Sequence, residues 1–174
     1  LILTVSLGLM LMLAFRPPRL ALGTHEAFLL TAGAWVVLAA AAAVPFIVAE
    51  LGLDITDAYF EAMSGLTTTG STVITGLDHL PPGILLWRSM LEWLGGVGII
   101  VMALAILPLL RVGGMQLFAA ESSETSGKAL PSISQVAVAT VGLYALFTVL
   151  CALALMLAGV GAFDAVNHAM TTLS

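Results

Sequence analysis

Charge is scarce in this chain of 174 residues: ten acidic and five basic side chains make up 9% of it, against about a quarter in ordinary soluble domains. With 60% hydrophobic residues, so little charge excludes a water-facing surface over most of the molecule and makes lipid the main solvent. The few lysines and arginines form no basic stripe, which excludes a nucleic-acid partner. Cysteine is nearly absent as well. Cys151 stands alone in an apolar run, so neither an internal disulfide nor a thiolate metal cluster is available. The three histidines, His25, His79 and His168, share no spacing suited to a metal or to nucleophilic catalysis, and no glycine-rich phosphate loop follows a strand. No bound cofactor is expected.

Long apolar runs fill the rest. Residues 26–49, 84–109 and 133–157 each exceed the roughly 20 residues an α-helix needs to cross a bilayer. Residues 1–15 form a further apolar run without a basic leader or a small-residue cleavage site, so they read as the end of an additional transmembrane helix in a fragment of a longer chain. Arg16, Arg19, Arg111 and Lys128 all fall in the linker 16–23 or the loop 111–130. The connection 50–83, between the runs 26–49 and 84–109, instead carries Glu50, Asp54, Asp57, Glu61 and Asp78 and no lysine or arginine. By the positive-inside rule, the basic connections face the cytoplasm and the acidic one faces outward.

That outward connection is half apolar, which is odd for a solvated loop. Residues 55–66 read as a short helix with Thr56-Asp57 available as its N-cap and with Tyr59, Phe60, Met63 and Leu66 as apolar contacts. At roughly 18 Å it is too short to span the membrane, so a re-entrant helix is expected. The run Thr67-Thr68-Thr69-Gly70-Ser71 follows it. A pore that strips water from a cation must supply oxygens in its place, and an extended, glycine-assisted backbone can aim successive carbonyls at one axis. Irregular backbone at membrane depth survives only where protein or a wet cavity surrounds it.

An internal repeat extends this reading. A shift of 107 positions places Asp57, Ala58, Ala62, Met63 and Leu66 on Asp164, Ala165, Ala169, Met170 and Leu173, with Ser64 on Thr171, Thr67 on Ser174 and Gly52 on Gly159. Residues 24–110 then form one unit and 131–174 begin another, with a second short helix at 163–173 and with Leu173 and Ser174 at the edge of a second filter.

The words Phe60-Glu61-Ala62-Met63-Ser64-Gly65-Leu66-Thr67-Thr68-Thr69-Gly70, Leu86-Trp87-Arg88, Trp93-Leu94-Gly95-Gly96-Val97-Gly98 and Val112-Gly113-Gly114-Met115-Gln116-Leu117 give the resemblance. The chain resembles the TrkH/TrkG family, the membrane subunits of bacterial Trk-type potassium uptake systems, within the Trk/Ktr/HKT superfamily. The resemblance implies an all-α membrane fold of the potassium-channel type, in which four linked repeats of helix, pore helix, filter loop and helix surround one pore. It implies Thr67, Thr68, Thr69 and Gly70 as the first quarter of a filter and K+ as the transported ion. Some plant relatives carry serine at the first glycine, a change associated with sodium, so Gly70 implies potassium. Homodimers, a cytosolic nucleotide-binding regulatory ring of the TrkA type and a bacterial inner-membrane location are likewise implied.

Glu61 lies near membrane depth, where an ionised carboxylate is costly without a partner, so a buried hydrogen bond or ion pair is expected to make it a support for the filter. Arg88 and Glu92, four apart, lie where they can pair with each other or with Glu61, and a snorkelling Arg88 is the equal alternative. Asp57 and Asp164 read as caps of the short helices, and Asp54 and Asp78 as solvated charges. Gly95, Gly96 and Gly98 read as a close-packing region, Pro45 as a bend, and Pro108 as the end of the third span. Two other readings remain beside transport: an intramembrane enzyme built on Ser64, His79 and Glu61, and a non-conducting membrane scaffold.

Overall fold

Long uncharged runs satisfy their backbone polar groups by coiling, since lipid offers no partner for a free N–H or C=O. The computed structural model describes residues 23–110 and 133–174, so the opening run 1–15, the linker up to residue 22 and the loop 111–130 lie outside it. The described residues form helices α1 (Thr24–Val48), α2 (Ile55–Leu66), α3 (Pro82–Leu110), α4 (Ile133–Leu157) and α5 (Ala162–Leu173), with a 3-10 turn at Leu77–His79. Among them there is no strand. Three segments, His25–Val48, Pro82–Ala103 and Gln135–Leu157, are long and apolar enough to cross a membrane. The all-α membrane class read from composition therefore holds.

Several helix ends differ from the expectation by one or two residues, and at α3 both differences involve proline. Helix α3 starts at Pro82, because a proline at the first helical position lacks only an N–H that would be unpaired anyway. It also runs through Pro108 to Leu110, so that proline does not end the span. Transmembrane helices tolerate a lost backbone bond where neighbours resatisfy it. Pro45 lies inside α1, and the helix ends one turn later, where the N–H of its C-cap Ala49 donates to the Pro45 carbonyl at 3.0 Å.

Small residues set how closely the helices approach. Ala39, Ala42, Ala43 and Phe46 of α1 bury against Ala58, Ala62 and Leu66 of α2 and Ile84 and Leu91 of α3. Apolar burial gains little relative to lipid, so van der Waals packing holds this cluster. Each tryptophan then links α3 to a long neighbour. Trp87 Nε1 donates to the Ala42 carbonyl at 3.0 Å, and Trp35 Nε1 reaches Met102 Sδ at 3.3 Å. Trp93 Nε1 donates to Thr148 Oγ1 at 2.9 Å while its ring lies 5.4 Å from that of Tyr144. Thus α3 is the shared wall between the α1–α2 unit and the α4–α5 unit. The outer faces, including Leu29, Leu30 and Val37 of α1 and Phe147 and Leu150 of α4, stay exposed.

Candidate functional site

Helix α2 begins with a correction. Asp54, in extended backbone just before the helix, is its N-cap, and its carboxylate accepts the Asp57 N–H at 2.7 Å. Thr56 and Asp57 already lie within the first turn, too far along to cap it. Asp164 likewise sits in the first turn of α5, which is preceded by Gly161 without a side-chain cap bond.

The other end of α2 carries the Thr-Gly run. Thr68 N–H donates to the Gly65 carbonyl at 3.0 Å and Thr69 N–H to the Ser64 carbonyl at 2.9 Å, the paired bonds of a Schellman cap. That cap needs a left-handed residue, and here it is a threonine, Thr68, at φ 56°. A β-branched residue there is a true outlier, costing about 1–2 kcal/mol. Gly70 follows at φ 72°, a conformation glycine adopts freely. Two left-handed residues in three turn the chain away from the helix axis into the irregular run 71–74.

Hydroxyls tie this turn to the helix. Thr67 Oγ1 donates to the Met63 carbonyl at 2.8 Å, which leaves Thr69 Oγ1 as the donor in the 2.8 Å bond between the two threonines. Ser64 Oγ donates to the Ser71 carbonyl at 2.7 Å. Among the described residues no protein donor reaches the carbonyls of Thr67, Thr68 or Thr69, whereas Gly70 O accepts from Arg88 Nη2 at 3.0 Å.

Behind the turn lies a charged brace. Glu61, 1% exposed, accepts at one oxygen from Thr72 Oγ1 at 2.5 Å, Val73 N at 2.6 Å and Ile74 N at 3.3 Å. Its other oxygen lies 3.4 Å from Arg88 Nε. Arg88 Nη1 is 3.0 Å from Glu92 Oε1, a Coulombic contact too poorly aligned to count as a hydrogen bond. One guanidinium therefore touches two carboxylates and the Gly70 carbonyl. The Arg88–Glu92 spacing was legible at i,i+4, and so was the buried carboxylate; the Thr72 anchor and the Arg88–Gly70 bond carried no sequence signal.

Glycine lets α2 end where it does. A Cβ on Gly95 would fall 2.0 Å from the Leu66 carbonyl oxygen, so only glycine admits this backbone. The neighbouring Gly96 faces the second unit: a Cβ there would meet Tyr144 Oη at 2.6 Å and Ser174 Cα at 3.5 Å. Leu173 is the last residue of α5, and Ser174 caps it with its N–H donating to Met170 O at 3.3 Å, as Thr67 N–H donates to Met63 O at 2.9 Å. The three groups of the enzyme reading do not assemble into a relay. Ser64 donates to a backbone carbonyl, Glu61 is saturated, and His79 sits exposed in the 3-10 turn.

A long apolar helix, a short buried helix ending in a strained oxygen-rich turn, and a second long helix, with the first two elements then repeated, define a multi-pass α-helical membrane protein. A family model described as TrkH, cation transport protein, matches residues 1–174, and the chain belongs to that family. It is 48% identical over 173 residues to the Trk system potassium uptake protein TrkH of Escherichia coli K12, covering 98% of this chain and 36% of the relative. It is 51% identical over 156 residues to the TrkH of Salmonella typhimurium, covering 88% of this chain and 32% of that relative. The crystal structure of the potassium transporter TrkH from Vibrio parahaemolyticus matches with a TM-score of 0.79 at 40% identity, over 95% of this chain and 32% of that one. The chain thus spans about a third of the length of these relatives.

Proposed function

We propose that this chain supplies the first quarter of a potassium-selective filter, and the start of the second, in a Trk-type uptake protein of the bacterial inner membrane. The observation that carries the reading is the end of α2, where, among the described residues, no protein donor reaches the Thr67, Thr68 and Thr69 carbonyls beside Gly70. A helix C-terminus bears about half a negative charge, worth about 0.3–1 kcal/mol to a nearby cation at exposed sites and more where water is excluded. Those carbonyls and the Thr69 hydroxyl offer oxygens to an ion leaving its hydration shell. In this reading residues 24–110 are one pore repeat and 131–174 open the next, with 55–66 and 163–173 as pore helices, 67–71 as filter and Leu173 and Ser174 at the second filter's edge. Glu61, Arg88 and Glu92 support the filter from behind.

K+ is the transported substrate and moves down its electrochemical gradient without a covalent step. The acidic connection faces outward, where Asp54 and Asp78 raise the local cation concentration within a Debye length of about 8–10 Å. The resemblance extends the proposal to a homodimer that binds a TrkA-type cytosolic nucleotide-binding ring.

Gly70→Ser tests it in the full-length protein. A serine Cβ would meet nothing within 4 Å, so the perturbation acts through φ 72° rather than through crowding. Left-handed backbone costs a non-glycine residue about 1–2 kcal/mol, enough to lower potassium-over-sodium selectivity about fivefold or more. An unchanged selectivity ratio with normal membrane abundance would refute the reading.

A further inference from the structure

Ser64 is bonded to the run that follows α2 in two opposite senses. Its carbonyl accepts the Thr69 N–H at 2.9 Å and the Gly70 N–H at 3.4 Å, while its hydroxyl donates to the Ser71 carbonyl at 2.7 Å. Ser64 is 5% exposed, whereas the residues from Thr69 to Val73 are exposed, so a fixed anchor holds a segment that packing alone does not hold. A trans peptide points its N–H and its C=O in opposite directions. Each amide held by α2 therefore turns the preceding carbonyl away from that helix. Thr68, Thr69 and Gly70 donate to the Gly65 and Ser64 carbonyls, which turns the carbonyls of Thr67, Thr68 and Thr69 outward. Val73 and Ile74 donate to Glu61, which does the same for the carbonyls of Thr72 and Val73. Between these two sets the direction reverses. Ser71 gives its carbonyl to the helix, and the Gly70 carbonyl is taken by Arg88 Nη2 at 3.0 Å.

We infer that Ser64 is a specificity-determining positioning residue: its hydroxyl keeps the peptide between Ser71 and Thr72 reversed and so ends the outward run of carbonyls at Thr69. The inference rests on the transport reading above and names the residue that fixes how many oxygens this quarter of the filter offers. The number and orientation of the carbonyl dipoles around an ion are one determinant of potassium-over-sodium selectivity. With the hydroxyl removed, the Ser71 carbonyl loses its partner on α2. Ser71 and Thr72 are both exposed, so no packed neighbour stops that peptide from turning over. The turn would add a further carbonyl to the outward side next to Gly70, where φ 72° already lets the chain swivel. Ser64 touches no ion in this account; it acts through the backbone that does.

The test uses the full-length protein in a host lacking other potassium uptake, and reads the ratio of potassium to sodium uptake, which does not depend on membrane abundance. Ser64→Ala should lower that ratio about fivefold, the equivalent of one net hydrogen bond. Ser64→Thr keeps the hydroxyl, and threonine is the residue that α5 carries at the matching position, Thr171, so this variant should recover most of the ratio. Ser89 supplies the control. It is equally buried at 5% and its hydroxyl donates within α3, to Leu85 O at 3.0 Å, so Ser89→Ala should leave the ratio at the parental value. A parental ratio in Ser64→Ala would overturn the inference, as would a threonine variant as impaired as the alanine one or a Ser89→Ala protein that loses as much. A parent that carried no potassium would overturn the transport reading instead.

Discussion

Gly95→Ala puts the helix contact behind the filter to a quantitative test. The added Cβ would lie 2.0 Å from the Leu66 carbonyl oxygen, 2.7 Å from its carbon and 3.1 Å from its Cα. Real Cβ atoms keep at least 3.0 Å from other heavy atoms, so one of the two backbones must retreat by about 1 Å. No rotamer change relieves this, because the obstacle is main chain. Overpacking of this kind costs about 1–3 kcal/mol, and the helical preference of alanine over glycine offsets about 1 of that. The net loss of stability is thus about 2 kcal/mol at most. The functional effect is larger, because Leu66 immediately precedes Thr67 and a binding constellation tolerates only about 0.5 Å of misplacement. Potassium and sodium fluxes in proteoliposomes should show selectivity reduced at least about tenfold, or about 1.4 kcal/mol. Two controls calibrate the result. Gly96→Ala meets first the hydroxyl of Tyr144, a side-chain end that can swing aside, and should cost less. Gly83→Ala meets nothing within 4 Å and should leave selectivity unchanged while raising stability by about 0.5–1 kcal/mol. A Gly95→Ala protein that matches Gly83→Ala in both measurements would refute the contact argument.

Two further substitutions probe the brace and the strained cap. Glu61→Ala strands the Val73 amide and the buried Ile74 amide and takes from Arg88 one of its two carboxylates, leaving Glu92 and the Gly70 carbonyl, so thermal unfolding should show a loss of about 2–4 kcal/mol. Glu61→Gln keeps an acceptor for those amides and should recover part of that loss; equal stability of the two variants would show that the amide bonds contribute nothing. Thr68→Gly should relieve the backbone at φ 56° and raise stability by about 1 kcal/mol, while the missing side chain loosens the turn and lowers potassium selectivity. A Thr68→Gly protein that is less stable than the parent would place the threonine's value in its side chain instead.

The parts of this molecule that rest on composition and periodicity were legible in the sequence. Three apolar runs became three long helices because no alternative satisfies their backbone in lipid. The two short helices at Ile55–Leu66 and Ala162–Leu173 follow from the repeat, since matched residues at matched spacing pack alike. Contacts that depend on three-dimensional approach were not legible. Asp54 caps α2 because the chain is extended at 54, one residue before the helix, and three capping residues within four positions, Asp54, Thr56 and Asp57, do not reveal which one is extended. The Gly95-Gly96 pair signals close packing, but not that its members face different units. Thr72 reads as one more hydroxyl until the turn at 68–70 brings it back to Glu61.

In the proposed transport reading the brace also resolves an apparent conflict: a cation path bordered by an arginine. Arg88 Nη2 donates to the Gly70 carbonyl, which would by itself oppose a cation at the neighbouring oxygens. Glu61 and Glu92 flank the guanidinium at 3.4 Å and 3.0 Å, so the cluster carries two negative charges for one positive when both carboxylates are ionised. Its local field then favours a cation, while the planar guanidinium fixes three partners at once in a way a lysine cannot. The Gly70 carbonyl is thereby oriented by a bond from behind, and among the described residues no protein donor reaches the three carbonyls before it. In that reading the positive charge holds the turn in shape, and the two carboxylates, when ionised, offset its cost to the ion.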